Sequence, residues 1–426
     1  MSERILLCLA HMSGREMDFI KEAFDDNWVV PLGPNVNGFE RDLEDFVNRR
    51  EGAEPLHKKV VALSAGTAAV HLALIACGVE PGDEVLVQSF TFCASSHPVT
   101  YLGATPVFID SEKESWNMDP ELLDEAIKDR IAKTGCKPKA IIPVALYGMP
   151  YQIDRILEIA DRYGIPVIED AAEGFGSMYK GQVLGTFGEY SVLSFNGNKM
   201  ITTSGGGALV CPDADKAREI LWYATQARES YPYYQHEAIG YNYRMSNICA
   251  GIGRGQMTIV DEHIAHHRHV QALYEELLKD VKGITMHTNP GPEYDSNYWL
   301  CTATLDPDLR IKGQENAYKQ IITGAVGGAA GVTHTVATAT TDCQPNDNVE
   351  ALRMALDAAN IESRPLWKPM HRQPVYRDNP AYTNGVSESL FRVGICLPAG
   401  PWVTDAHVRY IVDQIKAAID WNQIKD

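Results

Sequence analysis

Lys199 occupies a position where a primary amine could act as a covalent catalyst. It follows the apolar run Tyr190 to Phe195 and the turn Asn196-Gly197-Asn198, and it precedes Thr202-Thr203-Ser204-Gly205-Gly206-Gly207. A lysine forms an imine only when its amine is partly deprotonated, which burial or a nearby cation favours. The apolar run supplies burial, the glycines let backbone approach a ligand closely, and the hydroxyls offer donors to a phosphate. A surface lysine beside a Gly-rich hairpin would look the same, so a second group is needed.

Asp170 is that group. Ile165-Pro166-Val167-Ile168-Glu169-Asp170-Ala171-Ala172 reads as a short β-branched strand ending in two carboxylates and small residues, as expected of a buried parallel strand with a site at its carboxyl end. A carboxylate there can hold a pyridine nitrogen protonated, the arrangement pyridoxal phosphate needs to act as an electron sink. Without Lys199, Asp170 would read as a helix N-cap. A third piece, Val60 to Leu74, is strand, Gly66-Thr67 turn and Ala/Leu-rich helix. The turn aims free N–H groups and the helix dipole at one spot, a phosphate site or a plain connection. After the strand Val85 to Gln88, Phe92 is either a ring-stacking aromatic or core.

Together these segments resemble the DegT/DnrJ/EryC1/StrS family of sugar-nucleotide aminotransferases. The resemblance also rests on Pro31-Leu32-Gly33, Gly103 to Asp110, Tyr147-Gly148, Glu169 to Gly176 and Gly240 to Asn247, and so covers nearly the whole chain. It implies an α/β fold, the pyridoxal-phosphate transferase fold type I, with a mostly parallel sheet in a large domain and a smaller C-terminal α/β domain. It further implies Lys199 as the imine-forming lysine and Asp170 on the pyridine nitrogen, with Phe92 against the ring and Gly66, Thr67 and Ser194 on the phosphate. Asn242 would reach the phosphate of a neighbouring copy, so the active site is expected to be shared in a homodimer. The family position matching Glu173 separates subgroups, and a glutamate there favours a 4-amino product.

Within the family the chain is most similar to bacillosamine-pathway enzymes that aminate UDP-4-keto-6-deoxy-N-acetylglucosamine, on Tyr190 to Gly207, Thr225 to Glu229 and Glu362 to His371. L-glutamate is the implied amino donor. The alternatives are a GDP-perosamine-type aminotransferase and a non-catalytic regulatory or structural dimer on the same fold. For the UDP moiety the candidates are Arg228, Arg364, Trp367 and His371, because guanidinium forks and aromatic faces suit a nucleoside diphosphate. Lys368 sits together with Arg364, Trp367 and His371, while Arg228 and Arg244 are further candidates, and Arg244 could equally cap or pair structurally.

The chain has 426 residues, 45% hydrophobic and 22% charged, with a formal charge of −18. That describes an ordinary globular protein with two or three domain-sized cores and argues against a nucleic-acid or anionic-membrane surface. No apolar stretch approaches membrane-spanning length and no export signal is legible, so the expected location is the cytoplasm. The nine scattered cysteines form no Cys-x-x-Cys pair, which points to free thiols; Cys93 reads as a small filler. His263, His266, His267 and His269 have helical spacing but no accompanying ligand shell, so they read as a solvated helix face and no metal is expected.

From Val60 to Val210 apolar strands alternate with helical patterns such as Pro120 to Ile131 and Ile153 to Tyr163, the signature of a helix-covered parallel sheet. The opening residues, with a helix near Arg15 to Asp25, are expected to pack on this first domain. A long helix, Asp261 to Lys282, leads to the second domain, giving residues 1–260 and 261–426. Ile321 to Thr341, rich in Gly, Ala and Thr, reads as a mobile loop or a loosely packed insertion.

Overall fold

The computed structural model describes residues 4–318, 322–325, 333–336 and 343–421. Helices α1 (Glu16–Asp25) and α2 (Pro34–Val47) lead into strand β1 (Lys59–Leu63) and helix α3 (Gly66–Ala76). Strands β2 (Glu84–Gln88) and β3 (Thr105–Ile109) follow, then α4 (Pro120–Thr134), β4 (Ala140–Ile142), α5 (Ile153–Tyr163), β5 (Ile168–Asp170), β6 (Tyr190–Ser194) and β7 (Gly207–Cys211). Local chemistry sets these limits. The Asp119 side chain accepts from the Glu121 and Leu122 N–H groups ahead of Pro120, and Gly135 closes α4 at φ 74°. Helix α5 buries Ile153, Ile156, Ile159 and Ala160 on one stripe and stops at Gly164, φ 59°. Helix α3 is apolar nearly all round, and Ala68 to Leu74 are buried without a break.

The strands lie in the order β1-β7-β6-β5 and, beyond it, β4-β2-β3. The two runs join where Ile141 pairs with Val167 and Val144 with Asp170. Neighbours are parallel except at β7, which is antiparallel to both β1 and β6. The mostly parallel α/β sheet of the expected fold is therefore present. Its consequence is that the carboxyl ends of β1, β2, β5 and β6 share one edge, where ligands of such sheets bind.

Helices α6 (Asn247–Met257) and α7 (Val260–Leu278) lead to a second sheet built from β8 (Ile284–Met286), β9 (Cys301–Leu305), β10 (Arg364–Pro365) and β12 (Gly394–Leu397), in the antiparallel order β8-β9-β12-β10. Between its last two strands in sequence, β11 (Ala381–Tyr382) returns to the edge of the first sheet, parallel to β3. Helices α8 (Asp347–Ala358) and α9 (Asp405–Ala418) cover the second sheet and fill its core with Val349, Leu352, Val408 and Ile411. Helix α7 serves both cores, giving Val260 and Ile264 to one and Val270 and Tyr274 to the other.

One expectation changes. Residues 5–10 run beside the C-terminal core instead of the first one. Ile5 pairs with Ile361, the Leu7 N–H reaches Glu362 at 3.0 Å, and Trp402 Nε1 donates to the Ala10 carbonyl at 2.7 Å. Within the Gly/Ala/Thr-rich segment, Ile322–Ala325 and Thr333–Val336 pair as antiparallel strands; the rest of that reading lies outside the described residues.

Candidate active site

At the end of β1 the chain turns through Ser64 into α3. The cap residue Ala65 has no side-chain acceptor for the first-turn N–H groups. Those donors face a cavity of about 300 Å³ lined by Gly66, Thr67 and Ser194. The fit is tight: a Cβ at Gly207 would lie 2.4 Å from the Gly66 nitrogen, and one at Gly66 would lie 3.1 Å from Ser194 Cβ. Small residues bring β7 against the helix N-terminus, and the positive helix end stays open to an anion.

Asp170, the last residue of β5, lines the same cavity. Its Oδ2 accepts from Ser95 Oγ at 2.7 Å and its Oδ1 from the Ala172 N–H at 3.1 Å. Burial pushes its carboxyl up from the ordinary aspartate range, and the Ser95 hydroxyl, the Ala172 N–H and the Lys199 charge act against that.

Lys199 sits on the turn after β6. Its Nζ is 3.5 Å from Glu173 Oε1 and 4.2 Å from the centroid of the Trp299 ring. Glu173 is buried, and its Oε2 accepts the Tyr147 N–H at 2.7 Å. Burial raises the Glu173 carboxyl, with the Lys199 charge as the largest opposing influence. The cavity thus holds an amine beside two buried carboxylates, with an uncapped helix N-terminus along the same wall. Phe92 also lines it, 49% exposed, with its ring 5.4 Å from that of Trp367. Trp367 Nε1 is buried with no hydrogen-bond partner. Phe92 and Trp367 continue into an adjoining cavity of about 410 Å³ that Lys368 and Gln373 also line.

Lys199, Asp170, Glu173, Gly66, Thr67, Ser194, Phe92 and Trp367 are therefore brought together, while four other candidates are not. Asn242 and Arg228 are exposed and line neither cavity; Arg228 packs over the Tyr234 ring at 4.3 Å. Arg364 is engaged by Glu362 at 2.8 Å. His371 Nδ1 bonds to Ser89 Oγ at 2.7 Å and Nε2 meets Glu388 at 3.2 Å, turned into the fold. Arg244 pairs structurally, with the Glu40 carboxylate and the Ala62 carbonyl.

Of the four histidines on α7 only His269 is exposed as expected, where it pairs with Asp405 at 2.7 Å. His263 and His267 are buried and bond to the Met200 and Tyr298 carbonyls, while His266 meets the Val403 carbonyl. Cys93 is half-buried, and burial raises its thiol. Sequence reasoning missed Ser95, Asn297 and Trp299, which belong to no motif and act through contacts with residues far away in the chain, and it took Tyr147 only as part of the Tyr147-Gly148 match, without its hold on Glu173.

These residues fit pyridoxal phosphate on the grounds of their donor set: open helix N–H groups and hydroxyls for a phosphate, a buried carboxylate for a ring nitrogen, and a lysine amine between them. Sheet and site together define a pyridoxal-phosphate-dependent aminotransferase of fold type I. The family model of the DegT/DnrJ/EryC1/StrS aminotransferase family matches residues 11–323 and 314–416, and the chain belongs to that family. EpsN of Bacillus subtilis, named as a pyridoxal phosphate-dependent aminotransferase, is 42% identical over 412 residues, 95% of this chain and 93% of EpsN. The GDP-perosamine synthase of Caulobacter vibrioides is 33% identical over 417 residues, 98% of each chain. Among solved structures, a DegT DnrJ EryC1 StrS aminotransferase from Brucella abortus superposes with a TM-score of 0.78 at 27% identity, covering 95% of both chains. No helix among the described residues is long and apolar enough to cross a membrane.

Proposed function

We propose that this aminotransferase moves an amino group from L-glutamate to C4 of a UDP-4-keto-6-deoxy-N-acetylhexosamine, as bacillosamine-type glycan biosynthesis requires. The observation that carries the reading is the Lys199 amine, 3.5 Å from Glu173 in a cavity that Asp170 also lines. Bound pyridoxal phosphate supplies an electron sink for the pair left when the donor's Cα–H is removed. Lys199 takes that proton as general base and returns one, as general acid, to the carbon that becomes C4–NH₂. Because one amine on one wall delivers it, the new centre has one configuration. Asp170 keeps a proton on the ring nitrogen, and its bonds from Ser95 and Ala172 hold the carboxylate in place. Gly66, Thr67 and Ser194 hold the phosphate, and Phe92 lies against the ring.

For the nucleotide sugar, the Trp367 ring lines both cavities and offers an apolar face, and Lys368 in the adjoining cavity suits a diphosphate. We further propose that two copies share each active site, with the exposed Asn242 of one reaching the phosphate of the other. The enzyme would act in the cytoplasm, with domains at residues 1–260 and 261–426 apart from residues 5–10, which run beside the second core, and β11, which joins the first sheet. A GDP-4-keto-6-deoxyhexose is the second candidate substrate, favoured by the likeness to GDP-perosamine synthase.

The test is the visible absorption of protein loaded with pyridoxal phosphate. L-glutamate should remove the band and UDP-4-keto-6-deoxy-N-acetylglucosamine should restore it in the natural protein, and not in Lys199→Ala. Restoration by the GDP-linked keto sugar alone selects the second substrate, and a protein that never shows the band overturns the assignment.

A further inference from the structure

The two members of the Lys199–Glu173 pair come from different turns of the first sheet, yet three consecutive residues from the second half of the chain grip both. Asn297 Nδ2 donates to the Glu173 carbonyl and to the Phe175 carbonyl, each at 2.9 Å. Two residues on, Trp299 Nε1 donates to the Asn198 carbonyl at 2.6 Å, and the same ring lies under the Lys199 amine at 4.2 Å. The two side chains are also tied to each other, since the Trp299 N–H donates to Asn297 Oδ1 at 2.8 Å. Between them Tyr298 takes φ 49°, a left-handed conformation that points Asn297 and Trp299 at their separate targets.

The surroundings admit no slack. Asn297 is fully buried and Trp299 is 2% exposed. The Asn297 N–H is held by Ser177 Oγ at 2.9 Å, and that hydroxyl donates to the Gly148 carbonyl at 2.6 Å. Gly148 stands so close that a Cβ there would fall 1.9 Å from Asn297 Oδ1. The far side of the lysine turn is fixed as well, because His263 Nδ1 donates to the Met200 carbonyl at 3.2 Å. The carbonyls of both residues flanking Lys199 are thus held by ring N–H groups.

We infer that Asn297 and Trp299 are positioning residues that set the separation and orientation of Lys199 and Glu173. Asn297 fixes the backbone that carries the carboxylate. Trp299 fixes the turn that carries the amine and gives the ammonium form an aromatic face to rest on. The pair therefore keeps its geometry while the amine gains and loses a proton, which a flexible lysine on a Gly-rich loop would not do by itself. This inference rests on Lys199 as the reactive amine.

The test compares loaded holoenzyme of Trp299→Phe and Asn297→Ser with the natural protein and Lys199→Ala. Trp299→Phe keeps a ring and removes the N–H; Asn297→Ser shortens the grip on Glu173. Each should keep its cofactor and lower kcat by about tenfold, the scale of a lost neutral hydrogen bond, with KM for glutamate within about threefold. Each should also change the visible circular dichroism per bound cofactor, a signal that reports the setting of the chromophore without turnover. If both variants keep that signal and a kcat within about twofold, or if kcat falls only in step with the thermal midpoint while the signal stays, the positioning role is refuted. A Lys199→Ala protein with natural band and turnover would instead refute the assignment of the lysine.

Discussion

The Ser95 hydroxyl donates to Asp170 Oδ2 at 2.7 Å, and Ser95 Oγ meets Thr91 Oγ1 at 2.9 Å. The Asp170 carboxylate is thus buried yet supplied with donors that favour its charged form, the condition for holding a proton on a ring nitrogen. Asp170→Asn preserves shape and removes the charge, so turnover should fall by about 10²–10⁴-fold while the protein still folds. Ser95→Ala, which removes one donor to a charged group, should cost about 10–100-fold. Steady-state kinetics beside thermal melting measures both, and an Asp170→Asn enzyme with natural turnover would contradict the role.

The parts of this site that were legible in the sequence are those whose chemistry is written locally. A strand end with two carboxylates, a strand, Gly-Thr turn and helix, and a lysine between an apolar run and glycines each announce a strand terminus, and the parallel sheet gathers such termini on one edge. Asn297 and Trp299 were not legible because their work is long-range. Neither has a period or a motif, and their partners lie about 100 residues or more away, at Glu173 and Asn198. The α7 histidines misled for the opposite reason. Helical spacing puts His263 and His267 on one side of α7, and that side faces the packed interior, while His269 is exposed and pairs with Asp405. Arg364 and His371 have the right charge type for a diphosphate, but each has an internal carboxylate that a sequence does not disclose.

Glu173→Gln keeps the size of the side chain and an acceptor for the Tyr147 N–H while removing the charge beside Lys199. Turnover should fall by about 10–100-fold, the scale of a hydrogen bond to a charged group. The bond that holds the Tyr147 turn should persist, so the melting temperature should change little. Unaltered kinetics would show that the Glu173 charge has no part in proton handling.

Gly205 and Gly207 make a matched pair of tests for the phosphate end. A Cβ at Gly205 meets nothing within 4 Å, whereas one at Gly207 strikes the backbone of Ala65 and Gly66 at the start of α3. Gly207→Ala should therefore lower stability by about 1–3 kcal/mol and weaken cofactor retention by moving the helix N-terminus. Gly205→Ala should do neither. Urea midpoints and cofactor release on dialysis separate the two, and equal behaviour would remove the packing argument.

Stability should fall with acid because His267 and His287 are buried as neutral rings. Burial lowers His267 to about 3 and His287 to about 4, against an ordinary 6.5. Each ring keeps a single N–H on a carbonyl, His267 on Tyr298 at 3.1 Å and His287 on Glu114 at 3.1 Å, while the His287 ring stacks on Trp116 at 3.7 Å. Between those values and 6.5 the unfolded chain binds more protons than the folded one, so the contribution is present above pH 6.5 and is lost as pH falls. From pH 6.5 to 5 each histidine removes up to about 2 kcal/mol, from about 1.4 kcal/mol per unit. His287→Phe keeps an aromatic ring on Trp116 and removes the titration. It should be weaker than the natural protein at pH 7, yet lose less between pH 6.5 and 5 in urea melts. A variant with the same acid slope would show that His287 is not among the groups that destabilise the fold in acid.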